Sequence, residues 1–534
     1  MPGPLWKRLF PSPSSLNIAI QVFSLTAIFF EGYDQGVMGG VNSSPDYLRE
    51  VGIGNYPTEE VTDTVHQGGL VSIYYLGCIF GCFIGGWFAD RWGRINGVLV
   101  SAIFAMIGGA LQAAAQSSDF MLVARVITGL GTGAITAIVP VYCSEVAGAA
   151  HRGAFLGYVF IANYLGISVA YWLSFGLGFI DNGLSPIRWR FLLAFQCVPA
   201  IILVIGIKLL PDSPRYLASV GRHDEAREVL EHIRGGATPE IEAELAQMRD
   251  EAAHNKGSGV GEFIRILTGR ANTELHNHLG RRAWLSIWLQ IMASWSGITA
   301  VTAYSPTLLS QAGYSTIKQA GLAGGLNTIG IIGTIISAQI VDRFGRRKCL
   351  MGGSLGLAIV NLIAASLYEA SLHNRSLASS IAPAAVAMLF LFNLFYAATW
   401  GTIAFLIPTE IFPSEMRSQG NGFGITGWAI GVGMTVLVNP IMFGSIGSRT
   451  YFLFTALNLL WIPTVFYFYP ETAGRSLESL THLFDGGPFN SQMERNFALA
   501  NNTGSRVTEQ MEKNQGTQSW DEKPAIRNLE ETDV

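Results

Sequence analysis

"ADRWGR", residues 89–94, and "VDRFGRR", residues 341–347, are one motif written twice. Each ends an apolar run and turns through a glycine into the next. Two further pairs keep the same order. "SEVAGAAHR" at 144–152 sets Glu145 ahead of Arg152, and "TEIFPSEMR" at 409–417 sets Glu410 ahead of Arg417 at the same separation. "PDSPRYL", from Pro211, is answered by "PETAGRSL", from Pro470. All three are displaced by about 250–265 residues, which duplication explains and chance does not.

Between the motifs the chain is apolar. Its 534 residues are 49% hydrophobic and only 13% charged, where a soluble chain carries about 25% charged residues. A membrane span needs about 20 mostly apolar residues. Runs of that kind fall near 17–38, 70–89, 96–115, 120–142, 153–176, 190–210, 283–310, 321–341, 349–369, 382–406, 418–441 and 451–469. The reading is an all-α integral membrane protein of twelve transmembrane helices in two six-helix halves. It divides as a terminus 1–16, a first half 17–210, a charged linker 211–282, a second half 283–469 and a polar tail 470–534. In the linker, Ala226, Val229, Leu230 and Ile233, then Ile241, Leu245 and Met248, recur at helical spacing and predict short amphipathic helices. The end of the tail is polar and poor in aromatics, a composition typical of disorder.

Several classes drop out. A net charge of −4 offers no footprint for nucleic acid. Cys78, Cys82, Cys143, Cys197 and Cys349 lie in or beside apolar runs without metal or disulfide spacing. No Gly-x-x-x-x-Gly-Lys-Ser/Thr phosphate loop appears, which argues against an ATP-driven pump, and nothing calls for a cofactor. The first apolar run lacks a cleavage pattern and is long enough to span, so it reads as a retained helix.

Basic residues set the expected orientation. Lys7, Arg8, Arg91, Arg94, Arg152, Arg343, Arg346, Arg347, Lys348 and Arg417 share one side, with fewer opposite. Both termini and the linker are therefore expected in the cytoplasm, and the plasma membrane is the expected bilayer. The sequons at Asn42 and Asn374 then face outside as candidate glycosylation sites, while Asn501 stays inside.

The first span closes on "FFEGYDQGVMGG", residues 29–40, with Glu31 and Asp34 one helical turn apart. An ionised acid in hydrocarbon costs about 2.5 kcal/mol or more, so it needs a partner, water or a function. Arg125, in "ARVITGLGTGAI" of the fourth span, stands out as the one basic residue deep within any span. Asp34 is its natural counter-ion. Separating such a pair favours protonation of the acid, which would tie a proton to a conformational change.

This combination resembles the sugar porter family of the major facilitator superfamily, and fungal members in particular, from "GYDQG" through "PETAGRSLE". The resemblance implies a secondary transporter working by alternating access, with the substrate site between the halves near mid-membrane. It implies proton coupling through Asp34 and Arg125, with Glu31 as a departure from the usual apolar or aromatic residue. Glu31 then tunes Asp34, shares its proton, touches substrate or contacts water in the vestibule. It also implies that Asp90, Arg91, Arg94, Glu145 and Arg152, with Asp342, Arg343, Arg346, Glu410 and Arg417, form a cytoplasmic gate whose ion pairs exist only while the inner faces touch.

Hexose carriers of that family hold sugar with amides on spans 5, 7, 8 and 11 and a tryptophan on span 10. The corresponding positions here are Phe160, Ala293, Ser294, Thr299, Gly330, Phe405 and Gly427. Nearby candidates for substrate contact are Gln290 foremost, then Asn163, Ser294, Thr299, Tyr304, Asn327, Asn393, Trp400 and Trp428. With each unpaired buried hydroxyl costing about 1–3 kcal/mol, the altered site disfavours a standard hexose. A sugar-like polyhydroxy compound carried with a proton is the leading expectation. A facilitator or exporter of a polyol, cyclic hydroxy acid or natural product is the second, and a non-transporting nutrient receptor is the third. None is an enzyme.

Overall fold

Twelve helices take up the apolar runs in the computed structural model, which describes residues 5–56, 61–146, 152–236, 238–254, 260–270, 278–311, 314–373, 375–412, 416–473, 475, 483–484, 487–495 and 498. The first six are α1 (Pro13–Val41), α2 (Thr64–Trp92), α3 (Arg94–Ala113), α4 (Ser118–Val146), α5 (Arg152–Leu177) and α6, which runs as Ile187–Phe195 and Cys197–Gly206. The second six are α7, broken into α7a (Leu279–Ala293) and α7b (Thr299–Gln311), then α8 (Thr316–Phe344), α9 (Arg346–His373), α10, broken into α10a (Arg375–Ala398) and α10b (Trp400–Glu410), α11 (Arg417–Ile446) and α12 (Thr450–Phe468). No strand occurs among the described residues.

Among the described residues, ten segments are long and apolar enough to cross a membrane. One of them, Gln419–Phe468, contains both α11 and α12, joined by a single turn at Gly447–Arg449. The remaining span, α7, is not among the ten, and a π turn at Ser294–Ile298 cuts it, with Gly297 at φ 109°. The carbonyl of Ser296 in that turn accepts from the amides of Asn458 at 2.9 Å and Asn361 at 3.4 Å. Two side chains thereby satisfy a backbone group the broken helix sets free, which hydrocarbon would otherwise leave unpaired.

The duplicated motif starts α3 and α9 in the same way. Gly93 and Gly345 precede them at φ 100° and 88° with ψ 155°, a region essentially reserved for glycine. Asp212 accepts from the Arg94 N–H at 2.9 Å, and Glu471 accepts from the N–H groups of Arg346 and Arg347 at 2.8 and 3.1 Å. The acid of the third repeated motif is thus the cap on a helix begun by the first, where unpaired N–H groups and the helix dipole favour an anion.

Each half has its own apolar core, around Ile135 and Leu203 in the first and Leu289 and Phe454 in the second. A third cluster, with Tyr33, Tyr74, Tyr304 and Trp428, joins them. The linker forms the helices His223–Arg234, Pro239–His254 and Val260–Leu267, and all seven residues of the predicted apolar stripes are buried.

Candidate functional site

Asp34 and Arg125 are in contact. The guanidinium Nη1 lies 3.3 Å from Oδ1, and both side chains are essentially fully buried. Thr132 donates to the other carboxylate oxygen at 3.4 Å, and Gln112 of α3 accepts from Arg125 at 3.5 Å. The guanidinium also lies 4.6 Å from the ring centre of Tyr74, a cation–π arrangement. Gln112, Thr132 and Tyr74 were not singled out from sequence, although an amide in apolar α3 and threonines four apart on α4 were visible signals. Glu31 is buried as well and accepts from Gln35 at 3.2 Å.

Arg125 is not the one deeply buried basic residue. Arg188 and Arg282 are equally inaccessible, but each sits near a helix start. Arg188 donates to Ser43 at 3.0 Å, and Arg282 to the Ile411 carbonyl at 2.9 Å. Hydropathy alone could not see these, because a residue at a span's edge is sheltered by loops rather than by lipid.

Most of the substrate candidates spend their polar atoms on the protein. Gln290 donates to the Ala404 carbonyl at 2.9 Å, Tyr304 to that of Val436 at 2.7 Å and Asn393 to that of Leu326 at 2.7 Å. Asn327 and Ser294 bond back one turn, to Ala323 and Gln290, both at 2.9 Å. Thr299 accepts from Asn439 at 3.0 Å. Trp400 corrects expectation outright: its ring sits in the core of the second half with its indole N–H on Ser354 at 3.0 Å, turned away from the first half. Trp428 does face the first half, edge-on to Tyr75 with ring centres 5.5 Å apart. Asn163 is half-buried on α5, its carbonyl against Gly32 of α1. At Gly330 a side chain would begin 2.3 Å from the ring of Tyr164, and at Gly427 2.6 Å from the Ile287 carbonyl. The space an amide would occupy there is filled.

The repeated charges also differ from expectation. Arg94 pairs with Glu145 at 3.0 Å and Asp90 at 3.1 Å; Arg346 pairs with Glu410 and Asp342, both at 2.8 Å. Every one of these pairs lies within one half. Beside them at this face lies a cavity lined by Asp90, Arg94, Phe263, Gln419 and Gly422. The pairs the gate expectation invokes are therefore contacts within a half rather than between the halves. Arg91 and Arg343 instead lie over Trp92 and Phe344 at 5.5 and 5.7 Å. The side chains of Arg152 and Arg417 lie outside the described residues. Among these groups, Asp212 lies outside the spans, and burial raises its carboxyl above the ordinary range against the pull of the N–H groups it accepts.

At the opposite face the halves are closed. Ser72 donates to the Gly433 carbonyl at 2.8 Å, and a side chain at Gly68 would begin 2.5 Å from the Leu437 carbonyl oxygen. Trp172 donates to Thr328 at 2.9 Å, and the Tyr171 hydroxyl reaches the Thr302 carbonyl. Toward the motif face, Phe160 and Phe405 approach at 5.5 Å between ring centres. Asn42 terminates α1 with its side chain buried, which leaves no room for a glycan and withdraws it as a glycosylation site. Asn374 lies outside the described residues.

The profile of the family described as "Sugar (and other) transporter" matches residues 19–484. The chain belongs to the sugar (and other) transporter family. The MFS-type transporter criB of Aspergillus cristatus is 30% identical over 477 residues, covering 88% of this chain and 94% of that protein. The sugar transporter STL1 of Saccharomyces cerevisiae is 31% identical over 488 residues, covering 88% and 81%. Among solved structures, the proton:xylose symporter XylE bound to 6-bromo-6-deoxy-D-glucose aligns with TM-score 0.71 at 22% identity, over 88% of this chain and 99% of that one. A partially occluded inward-open form of the xylose transporter XylE from E. coli aligns with TM-score 0.71 at 20% identity, over 86% and 100%. This chain has the major facilitator fold and is a multi-pass membrane transporter, not an enzyme.

Proposed function

We propose that this transporter carries a sugar or sugar-like polyhydroxy compound together with a proton, by alternating access between its two six-helix halves. The observation that carries the reading is the buried Asp34–Arg125 pair at 3.3 Å. Two opposite charges held out of water are stable while together and unstable once parted, so a movement of α1 against α4 changes the affinity of Asp34 for a proton. A ligand shifts such an equilibrium only through differential affinity for its two states. Proton and substrate both meet that condition if each binds where α1 and α4 diverge. The names of STL1, a sugar transporter, and XylE, a proton:xylose symporter, support the substrate class and the coupling. In this arrangement the motif face and both termini are cytoplasmic and the bilayer is the plasma membrane. The closed opposite face and the cavity at the motif face then correspond to an inward-facing state. Trp428, Tyr75 and Asn163 are the proposed lining of the substrate chamber, with the described ion pairs of Arg94 and Arg346 holding the inner helix ends of each half.

A second reading has a specific support. The filled positions at Gly330 and Gly427 favour a smaller or less hydroxylated cargo than a hexose, such as a polyol or a cyclic hydroxy acid. Uptake of labelled hexoses, pentoses, polyols and cyclic hydroxy acids into transport-deficient cells separates these cases. Accumulation above the external concentration, abolished by an uncoupler, is the expected result. Equilibration without accumulation supports a facilitator, and binding without flux a receptor.

A further inference from the structure

Glu31 has a different environment from Asp34, although it is one turn away. Its carboxyl is buried, and among the described residues the side chains bonded to it are Gln35, through Nε2 at 3.2 Å, and Thr136 of α4. The titratable groups facing it are Asp34 on its own helix and Tyr75 and Cys78 on α2. From α5 comes the backbone of Asn163 against Gly32, and α7b carries no charged residue. Arg125, the one cation in the chamber among the described residues, is committed to Asp34 at 3.3 Å, Gln112 at 3.5 Å and the face of Tyr74 at 4.6 Å. Among the described residues no ion pair reaches Glu31.

Two acids therefore share one buried chamber with a single guanidinium. If both were ionised, one negative charge would stand uncompensated out of water, beside a like charge one helical turn away. Gln35 donates to Oε1, which leaves Oε2 as the oxygen that holds the hydrogen.

We propose that Glu31 is a second proton-carrying site of this transporter, distinct from the Asp34–Arg125 pair, and that it is protonated in the state described here. The step is a plain proton transfer: Oε2 takes a proton from hydronium on one side, leaving water, and gives it to water on the other, forming hydronium. In the state described here Asp34 is paired with Arg125, so the two acids hold their protons at different stages. The role in transport rests on the symport reading above; the protonation itself does not.

Infrared difference spectroscopy of the purified full-length protein, titrated from mildly acid to alkaline pH in H2O and in D2O, reads protonated carboxylic acids directly and needs no substrate. The expected result is a carbonyl band of a buried protonated acid at neutral pH, deuterium-sensitive, lost in Glu31→Gln and retained in Asp34→Asn. A band unchanged in Glu31→Gln, or lost in Asp34→Asn instead, overturns the proposal. Absence of any such band in the wild type overturns it too, whether or not the variants fold. If the Glu31 band is present yet no compound is accumulated against its gradient, the symport reading fails while the second proton site stands.

Discussion

A guanidinium and a carboxylate sunk together between α1 and α4 are each tolerable because of the other. Removing one partner of a buried pair costs about 3–5 kcal/mol, while replacing both with uncharged groups is often nearly neutral. Arg125→Ala should therefore lower thermal stability in detergent by that order, and the double variant Asp34→Asn/Arg125→Gln should recover most of the loss. A double variant as unstable as Arg125→Ala would mean the two residues are not energetically linked. This pair was legible in the sequence because two charges in apolar runs have few possible partners. The cargo site was not. Gln290, Asn327 and Asn393 look available in a sequence, yet their amides bond to backbone carbonyls inside their own half. Sequence reveals that a polar atom exists in a span, and only the rotation of the helix decides what it meets.

Helix ends carry the clearest trace of the duplication. The acids at Asp212 and Glu471 were visible as parts of a repeated motif, but their partners, 118 and 125 residues away in α3 and α9, were not. Nor could spacing tell whether Arg94 and Arg346 bind within a half or across the gap, since both answers use the same residue types. A side chain at Gly345 would begin 2.5 Å from the Glu471 carboxylate, on a backbone that other residues enter at a strain of about 1–3 kcal/mol. Gly345→Ala should destabilise the protein by at least that order and more than Glu471→Gln, which keeps an acceptor for the Arg346 N–H. Equal melting temperatures for Gly345→Ala and wild type would remove the strain and the cap together. The break in α7 had a partial signal in "SWSGI", residues 294–298, but the amides of Asn361 and Asn458 that support it come from distant helices.

At the scale of the whole molecule, twelve spans and two halves followed from hydropathy and repetition, and the comparisons with known proteins agree with that architecture. Which face was closed could not follow from the sequence, because one chain must serve both states. Here the opposite face is sealed where α2 meets α11. Adding a side chain at Gly68, against the backbone of Leu437, should force these helices apart and favour the outward-open state. In a Ser72→Cys reporter, Gly68→Val should raise the rate of labelling by an impermeant thiol reagent applied outside. An unchanged rate would show that this contact does not close the opposite mouth.

The central claim is that a proton on Asp34 is exchanged against its bond to Arg125 as cargo crosses. Reconstituted into vesicles with the best compound from the uptake screen, the wild type should accumulate it when an inward proton gradient is imposed. Asp34→Asn should lose all accumulation yet still exchange labelled for unlabelled compound across the membrane. Accumulation by Asp34→Asn at the wild-type level would contradict the account.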